Sequence, residues 1–239
     1  TDGRCTVCGL NRSKIDLGQV TAAAVPNQVY TGSVIEPQLS LSYEGEALTE
    51  STDYTVTYHN QTNVGSAYAE VTGAGWYTGT LKIPYTITQA VNEITLTCPD
   101  STFGTVYYPS CHMKYAASVT ELYKQASADD STYTETKPTD AGSYTLKAIA
   151  ADTANVVGTS QTVDFTISPR SISDAYLTVH DQNYSGAVTD FGAFVWLYNH
   201  QLKADQDYTV SAVKTGETAA SEAKDVGSYT VTVTGTGNY

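Results

Sequence analysis

The chain has 239 residues, 41% of them hydrophobic, and carries a formal net charge of −13 with 19 tyrosines and a single methionine. This apolar content excludes a disordered chain, and the acidic balance excludes a surface that binds the phosphates of nucleic acid or an anionic membrane. Abundant Thr, Val and Tyr without runs of helix formers favour strands. No apolar run is long enough to cross a bilayer, so we expect no membrane insertion in this segment.

Residues 1–18 are predicted to form a junction before the first domain. They contain Cys5 and Cys8 with the Cys-x-x-Cys spacing of half a zinc site. Zinc needs four ligands, and the remaining pair, Cys98 and Cys111, lacks this spacing. A metal site is therefore the weaker alternative, and the end of an upstream domain is the interpretation that we favour for this segment.

A tight turn followed by an alternating strand recurs three times. The three turns are Asn63-Val-Gly65, Asp140-Ala-Gly142-Ser-Tyr144 and Asp225-Val-Gly227-Ser-Tyr229. Glycine suits such a turn because it adopts positive φ at little cost. The recurrence indicates one small domain used three times, and we predict repeat 1 at residues 19–88, repeat 2 at 89–168 and repeat 3 at 169–239.

The strand after each turn alternates apolar and polar residues, which predicts one buried face in an antiparallel sheet. A closing strand follows in repeat 1 around Ile83, and Pro84, which has no N–H, places this strand at a sheet edge or bulge. Residues 116–125 are the one stretch where a helical turn is expected. The apolar positions after the turns are Ala67, Ala69 and Val71, then Tyr144, Leu146 and Ala148, then Tyr229, Val231 and Val233.

The third repeat is expected to lack its closing strand. Tyr239 aligns with Tyr77, at a point where repeat 1 still has its closing strand to come. The edge left open would pair with a continuation of the chain or with another chain. The joints between repeats are short, and Pro169 stiffens the second, so we expect the three domains to form an extended row.

The pattern Asp-x-Gly-x-Tyr before an alternating strand resembles the tyrosine corner of immunoglobulin-like sandwiches, in which the tyrosine hydroxyl bonds to nearby backbone. Tyr144 and Tyr229 would be these structural corners. Antibody-type domains have a cysteine two residues later, where this chain has Leu146 and Val231. The fold class implied is all-β, with three tandem immunoglobulin-like β-sandwich domains.

Longer phrases resemble the tandem immunoglobulin-like repeats, of the mostly-β, glycine-rich type, in cell-surface proteins and adhesins of Gram-positive bacteria. The resemblance spans nearly all of the chain after Gln19 and implies a segment of a larger protein that is secreted or attached to the cell wall. It implies no catalytic residues, because that family shares none. The phrases are Tyr30-Thr-Gly32, Asp53-Tyr-Thr-Val56, Gly73-Ala-Gly-Trp-Tyr-Thr-Gly79 and Asp164-Phe-Thr-Ile-Ser168.

Two sets of side chains are candidates for a disulfide and for a metal site. Cys98 and Cys111 flank a turn-rich segment, and in an extracellular setting a disulfide between them would stabilise the fold by about 2–3 kcal/mol; two free thiols are the alternative. Calcium takes loop oxygens, so acidic loop residues are weak candidates for its ligands, although no EF-hand spacing is present. These residues are Asp129, Asp130, Asp205 and Asp207.

Trp76 and Tyr77 follow a glycine-rich turn and are candidates for ligand binding, with packing at a joint as the alternative. No nucleophile has an evident His and acid partner, so we expect no enzyme and no cofactor apart from the calcium alternative. We predict a structural or adhesion role, as stalk or spacer repeats, and keep a glycan- or host-protein-binding module as the alternative. The partner would be a host or bacterial surface ligand that the sequence does not name, and we expect this segment to be monomeric.

Overall fold

A computed structural model describes residues 13–187, 191–218 and 223–239. In these residues the helical elements are two short 3-10 turns, Leu17–Gln19 and Asp130–Thr132. The rest of the regular structure is strand, and the strands form successive small sheets along the chain, as in tandem β-sandwiches. The all-β class predicted from the alternation is confirmed.

The strands follow the three repeats in chain order. In repeat 1 they are β1 (Ile15–Asp16), β2 (Thr21–Ala22), β3 (Gln28–Val29), β4 (Leu41–Tyr43), β5 (Glu46–Ala47), β6 (Tyr54–His59), β7 (Gly65–Gly73), β8 (Tyr77–Thr78) and β9 (Thr80–Thr88). In repeat 2 they are β10 (Ala90–Val91), β11 (Ile94–Thr97), β12 (Ser101–Thr102), β13 (Ser110–Met113), β14 (Val119–Gln125), β15 (Gly142–Ala150), β16 (Val156–Val157) and β17 (Ser160–Ser168). In repeat 3 they are β18 (Tyr176–Thr178), β19 (Phe194–Leu197), β20 (His200–Gln201), β21 (Tyr208–Lys214) and β22 (Tyr229–Gly235).

The described chain forms two compact units, and the division between them falls within repeat 2. The first unit contains repeat 1 and the parts of repeat 2 next to it in the sequence and in the fold. The second contains the remainder of repeat 2 and all of repeat 3. The first unit comprises the described residues up to Ile94, Met113–Val119 and Ile149–Ser160, and the second comprises Thr95–His112, Thr120–Ala148 and Gln161–Tyr239.

Repeat 1 is built around β7, which has a partner on each side. A four-stranded sheet runs in the order β3-β9-β7-β6, and β2-β4-β5 forms a second sheet. Val71 of β7 lies opposite Val56 on β6 and opposite Leu81 on β9, both antiparallel. Pro84 lies opposite Tyr68 on β7, and β3 pairs with β9 only from Ile87 onward, so the predicted edge position of this proline is confirmed.

The core of repeat 1 consists of the apolar faces that the alternation predicted. Ala67, Ala69 and Val71 are all buried. Two groups of buried side chains form this core, and β9 contributes to both. The Leu17 cluster contains Leu17, Leu41, Leu48, Tyr54, Val71 and Ile83. The Tyr85 cluster contains Ile35, Ala67, Tyr85 and Ile87, with Val25, Tyr30, Tyr58 and Val64 packed against it.

The structure places the first residues of repeat 1 earlier than the predicted boundary at residue 19. Ile15 of β1 pairs in parallel with Tyr77 of β8. The Leu17 side chain has no exposed surface and lies in the core of repeat 1. Residues 15–17 therefore belong to the first sandwich rather than to a separate junction, because burial of Leu17 gives them a stabilising role in that core.

Repeat 2 contains the sheet β12-β17-β15-β14, which follows the order of β3-β9-β7-β6 in repeat 1. The helical turn expected within residues 116–125 is wrong, because this stretch forms β14. Tyr123 exchanges two backbone hydrogen bonds with Thr134, and its side chain is buried. Pairing and burial of alternate residues outweigh the weak local preference for helix.

Repeat 3 has the shortest sheet around its central strand. β22 pairs antiparallel with β21 from Tyr229 opposite Lys214 to Gly235 opposite Tyr208. Among the described strands it has this one partner, whereas β7 and β15 each have two. The core is a single cluster of Val195, Leu197, Leu202 and Tyr208, with Ile172, Ala175, Val233 and Tyr239 packed against it.

Replacement of Leu17 tests whether residues 15–17 are part of repeat 1. We expect Leu17→Ala to lower the free energy of unfolding of repeat 1 by about 2–5 kcal/mol, because it leaves a cavity in a packed core. Urea unfolding followed by Trp76 fluorescence, in a Trp196→Phe background, reports on this repeat. The control Lys14→Ala removes an exposed side chain and should change the value by less than about 0.5 kcal/mol. Equal, small effects of both substitutions would contradict the assignment.

Candidate functional site

The two predicted corner tyrosines both bond to backbone four residues earlier. Tyr144 donates its hydroxyl hydrogen to the Asp140 carbonyl over 2.9 Å, and Tyr229 donates to the Asp225 carbonyl over 2.9 Å. Each is the hydrogen bond that the Asp-x-Gly-x-Tyr pattern predicts. These contacts fix the turn before the central strand, so both tyrosines have a structural role.

The expected disulfide between Cys98 and Cys111 is not formed, because both thiols are free in the structure. Burial raises the pKa of the Cys98 thiol to about 11, and burial also raises the pKa of Cys111. Disulfide formation proceeds through the thiolate, which these pKa values make scarce at neutral pH. The pair therefore acts as two partly buried, unreactive side chains. The Cys-x-x-Cys residues Cys5 and Cys8 lie outside the described residues.

The acidic residues proposed as calcium ligands are used in turns. The Asp129 carboxylate accepts from the backbone N–H of Ser131 over 2.9 Å, which lowers the pKa of Asp129. Asp130 forms an ion pair with Lys124 at 3.0 Å. Asp207 accepts from the backbone N–H of Lys203 over 2.8 Å, and Asp205 has a positive φ within the same turn. Nowhere in residues 13–187, 191–218 and 223–239 do three or more His, Cys, Asp or Glu side chains converge as metal ligands.

The two ligand-binding candidates in repeat 1 differ in their surroundings. Tyr77 packs against the Leu17 cluster, with its ring 6.3 Å from that of Tyr43. Trp76 is 39% exposed, and its backbone carbonyl accepts from the N–H of Ile15 over 3.0 Å. Tyr77 is thus largely a packing residue, while the indole of Trp76 faces solvent at the end of the repeat.

The position of Trp76 recurs in the other repeats as an asparagine. The Asn155 carbonyl accepts from the N–H of Ala90 over 3.1 Å, and the Asn238 carbonyl accepts from the N–H of Arg170 over 2.9 Å. In each case the donor lies at the start of the same repeat. We call Trp76, Asn155 and Asn238 the joint residues, since their side chains lie where a preceding repeat is attached.

At the first joint, Asn155 of repeat 2 binds the turn of repeat 1. Its side-chain oxygen accepts from the backbone N–H of Val64 over 2.9 Å, and its side-chain nitrogen donates to the side-chain oxygen of Asn63 over 3.0 Å. A second contact supports the first: the Tyr115 hydroxyl donates to the Tyr30 carbonyl over 3.2 Å, and the two rings lie 5.5 Å apart. The amide therefore satisfies both polar groups that the turn presents.

At the second joint, Asn238 of repeat 3 binds the turn of repeat 2 in the same way. Its side-chain oxygen accepts from the backbone N–H of Ala141 over 2.7 Å, and its side-chain nitrogen donates to the Asp140 carboxylate over 3.0 Å. An aromatic pair again lies beside the amide, with the rings of Phe103 and Tyr239 5.4 Å apart. We call this two-bond contact the asparagine clamp.

Sequence analysis missed the asparagine clamp, although it had identified the turns to which the clamp binds. The turn residues Asn63 and Asp140 occupy the same position in their repeats, and so do Tyr30 and Phe103, each of which follows a short strand paired with the closing strand. The joint residues themselves are hidden because loop lengths differ and Trp76 replaces the asparagine in repeat 1.

A second surface missed by sequence analysis is a row of aromatic side chains on the outer face of β18 and β19. Tyr176 lies directly opposite Trp196, and Phe194 is two residues before Trp196 on the same face. Their exposed fractions are 70% for Tyr176, 46% for Phe194 and 41% for Trp196. The intervening Val195 and Leu197 are buried in the core. We call Tyr176, Phe194 and Trp196 the aromatic face.

The fold does not require this aromatic face. In repeat 1 the strands in the same place are β2 and β4, where Thr21 lies opposite Ser42. Ser40, which corresponds to Phe194, is exposed, as is Thr21. Hydroxyl side chains thus suffice for this face in one copy of the sandwich, and the aromatic residues of the other copy are available for another purpose.

Searches against known proteins add little beyond the fold. No protein-family model matches the chain, and no curated protein matches it. Among solved structures, the chain is similar to protocadherin gamma B2 extracellular cadherin domains 3-6, with 13% identity and a TM-score of 0.26. The match covers 84% of this chain and 57% of that chain's length. Across the described ranges, the structure contains no helix with the length and apolar character needed to span a membrane.

Alkylation tests the state of the two thiols in repeat 2. Because burial raises the pKa of Cys98 to about 11, its thiolate is scarce at pH 8. We expect iodoacetamide to modify Cys98 about 100-fold more slowly in the folded chain than in urea. The rate should rise about tenfold per pH unit toward pH 11. Peptide mass spectrometry locates the modification, and recovery of a Cys98–Cys111 cross-linked peptide without added oxidant would contradict the free-thiol state.

Proposed function

We propose that this chain serves as structural spacer repeats, in which each sandwich is held to its neighbour by a specific hydrogen-bonded joint. The observation that carries the proposal is the asparagine clamp, which occurs with the same two bonds at Asn155 and at Asn238. A flexible linker would need no such contact, since domains that act independently lose nothing by moving.

The clamp supports a spacer because it fixes orientation as well as distance. One bond goes to a backbone N–H and the other to a side-chain oxygen on the preceding residue, so both form only when the turn and the amide are correctly aligned. The aromatic pair beside each clamp adds apolar contact at a second point. Two separate points of attachment restrict rotation about a joint more than one does.

The finer parts of the proposal rest on whole phrases that resemble repeats of Gram-positive surface proteins. We infer a location outside the cell, in a secreted or cell-wall-attached bacterial protein, with a surface ligand of the host or of a neighbouring bacterium as the partner of the larger assembly. The net charge of −13 supports solubility and opposes binding to nucleic acid. We expect a monomer and no catalytic activity from this segment.

The aromatic face supports a second candidate function, which is binding of a glycan or a protein ligand. Exposed aromatic residues grouped on one flat surface are typical of binding sites, because they bury much area with little loss of side-chain freedom. This site replaces the loop-end position of Trp76 and Tyr77 that the sequence suggested. The flat outer face of a sheet suits the stacking of sugar rings on Tyr176 and Trp196.

Asparagine-to-aspartate substitutions test the clamp, because the two joints should respond differently. In the Asn155→Asp variant the amide of Asn63 can rotate to donate a hydrogen bond, so we expect the Val64 amide to keep its protection from hydrogen exchange. In the Asn238→Asp variant the new carboxylate faces that of Asp140, and we expect Ala141 to exchange at least about tenfold faster. The measurement is amide exchange by nuclear magnetic resonance.

Two controls complete this experiment. Alanine at Asn155 or at Asn238 removes both bonds and should speed exchange at Val64 or Ala141, respectively. Adding Asp140→Asn to the Asn238→Asp variant should restore protection at Ala141. For the spacer role, nitrogen-15 relaxation should give one tumbling time for all repeats in the native chain and shorter times when both asparagines are alanine. Independent tumbling in the native chain would overturn the proposal.

The aromatic face is tested by Trp196→Ser, which introduces the residue type found at position 42. We expect the free energy of unfolding to change by less than about 0.5 kcal/mol, since serine suits this face in repeat 1. Binding on a glycan array should fall in Trp196→Ser and persist in the control Trp76→Ala. Unfolding of repeat 3 by Trp196→Ser would show that this residue has a structural role, and loss of binding only with Trp76→Ala would place the site in repeat 1.

A further inference from the structure

Repeat 3 contains a cavity of about 800 Å³ beside its central strand β22. One wall is formed by residues 182–184 and the other by residues 225–229, with Leu177 and Phe191 also lining the space. A volume of this size is in the range of pockets that take organic ligands. The cavity lies wholly within the second compact unit and is separate from the aromatic face and the asparagine clamps.

The cavity corresponds in position to the Tyr85 cluster of repeat 1. In repeat 1 that cluster is closed by Tyr85 and Ile87 of β9. Residues at the matching sequence positions of repeat 3 line the cavity, but no described strand supplies a counterpart of β9. The matching lining residues are Val179, Tyr184, Val226 and Tyr229, which correspond to Val25, Tyr30, Val64 and Ala67.

Burial along β22 shows the consequence of this missing neighbour. The matching positions in β7, Ala69 and Val71, have no exposed surface. Val231 and Val233 are only half-buried, and Val226 at the rim of the cavity is 78% exposed. The apolar face of β22 is therefore incompletely covered, and covering it would be favourable by the hydrophobic effect.

The two walls of the cavity determine what backbone conformation can fill it. In repeat 1, β9 runs antiparallel to β7 and parallel to β3, with Gln28 opposite Ile87. Gln182 corresponds to Gln28, and β22 corresponds to β7. The cavity is thus a slot between two stretches of extended backbone, and an occupant that satisfies both must itself be an extended strand.

The chain indicates the side chains that suit such a strand. The two closing strands carry an aromatic residue and, two positions later, isoleucine: Tyr85 and Ile87 in β9, Phe165 and Ile167 in β17. All four side chains are buried. In repeat 2 the ring of Phe165 stacks on that of Tyr144 at 5.7 Å, and Tyr144 corresponds to Tyr229 in the wall of the slot.

We propose that this slot binds an extended strand of a separate polypeptide, with an aromatic residue and an aliphatic residue two positions apart. The strand pairs antiparallel with β22, places its aromatic ring against Tyr229 and its aliphatic side chain beside Gly227, and completes the sandwich by strand addition. A second copy of this chain is not the donor, since β9 and β17 are both paired inside their own repeats. The site does not depend on the spacer function.

A nine-residue peptide with the sequence of β9 is the probe for this site. Titrated into the full chain, it should bind saturably with one site, as measured by calorimetry. Hydrogen exchange detected by mass spectrometry should then show new protection in β22 and in residues 182–184, with β7 unchanged. A peptide with serine at the positions of Tyr85 and Ile87 should bind at least about tenfold more weakly, because it loses both buried side chains.

Matched variants of the chain identify the slot. Tyr184→Ala removes a lining residue that is 69% exposed, so the fold is unaffected, and we expect about tenfold weaker peptide binding. Tyr198→Ala removes a similarly exposed tyrosine outside the slot, at 71%, and should leave binding unchanged. Equal effects of the two variants would overturn the assignment of the slot.

Three further outcomes would also overturn the proposal. One is the absence of saturable binding at peptide concentrations on the order of 1 mM. Another is a dimer of the chain alone, detected by sedimentation, with β22 already protected from exchange, which would make a second copy the occupant. The third is peptide binding that occurs only when the β9 sequence is fused behind Tyr239, which would make the donor a covalent continuation rather than a separate polypeptide.

Discussion

The strand that follows each Asx-x-Gly turn, in which the first residue is Asp or Asn, determines how each repeat is built. In β7 and β15 this strand has a partner on both edges and a continuous apolar face. Its backbone bonds and its buried side chains are therefore satisfied by different neighbours at the same time. The turn at its start presents a side-chain oxygen and a backbone N–H outward, and these are the groups that the asparagine clamp binds. Formation of the sheet and attachment of the next repeat thus depend on one short segment.

Variation between the repeats is concentrated on surfaces that this strand does not control. The aromatic face replaces hydroxyl residues on an outer sheet, where the side chains at alternate positions are independent of the core. The slot in repeat 3 arises because β22 has one strand partner among the described residues while its apolar face is retained. A repeated scaffold can therefore carry a joint at one end, a binding surface on one face and a strand-accepting edge, without change to its core.

The sequence predicted those parts of the fold that follow from local period and turn chemistry. The alternation at Ala67, Ala69 and Val71 and the edge position of Pro84 were confirmed, because each depends on its own strand and immediate partner. Predictions that depend on distant groups were less successful. The strand β14 was expected to be helical, since its pairing with β15 cannot be seen in its own residues. The clamp asparagines were overlooked because their partners lie about ninety residues away in the chain. The aromatic face could have been found by comparing Phe194 and Trp196 with Ser40 and Ser42.

Amide hydrogen exchange along the three central strands tests most directly whether this strand holds each repeat together through both of its edges. The account predicts that Val71 in β7 and Leu146 in β15 exchange only through global unfolding of their repeats. It also predicts that Val231 and Val233 in β22 exchange faster, through local opening at the unpaired edge, in the chain without added peptide. Equal protection of all three strands in a monomeric chain would contradict this, because it would show that the second strand partner is not needed.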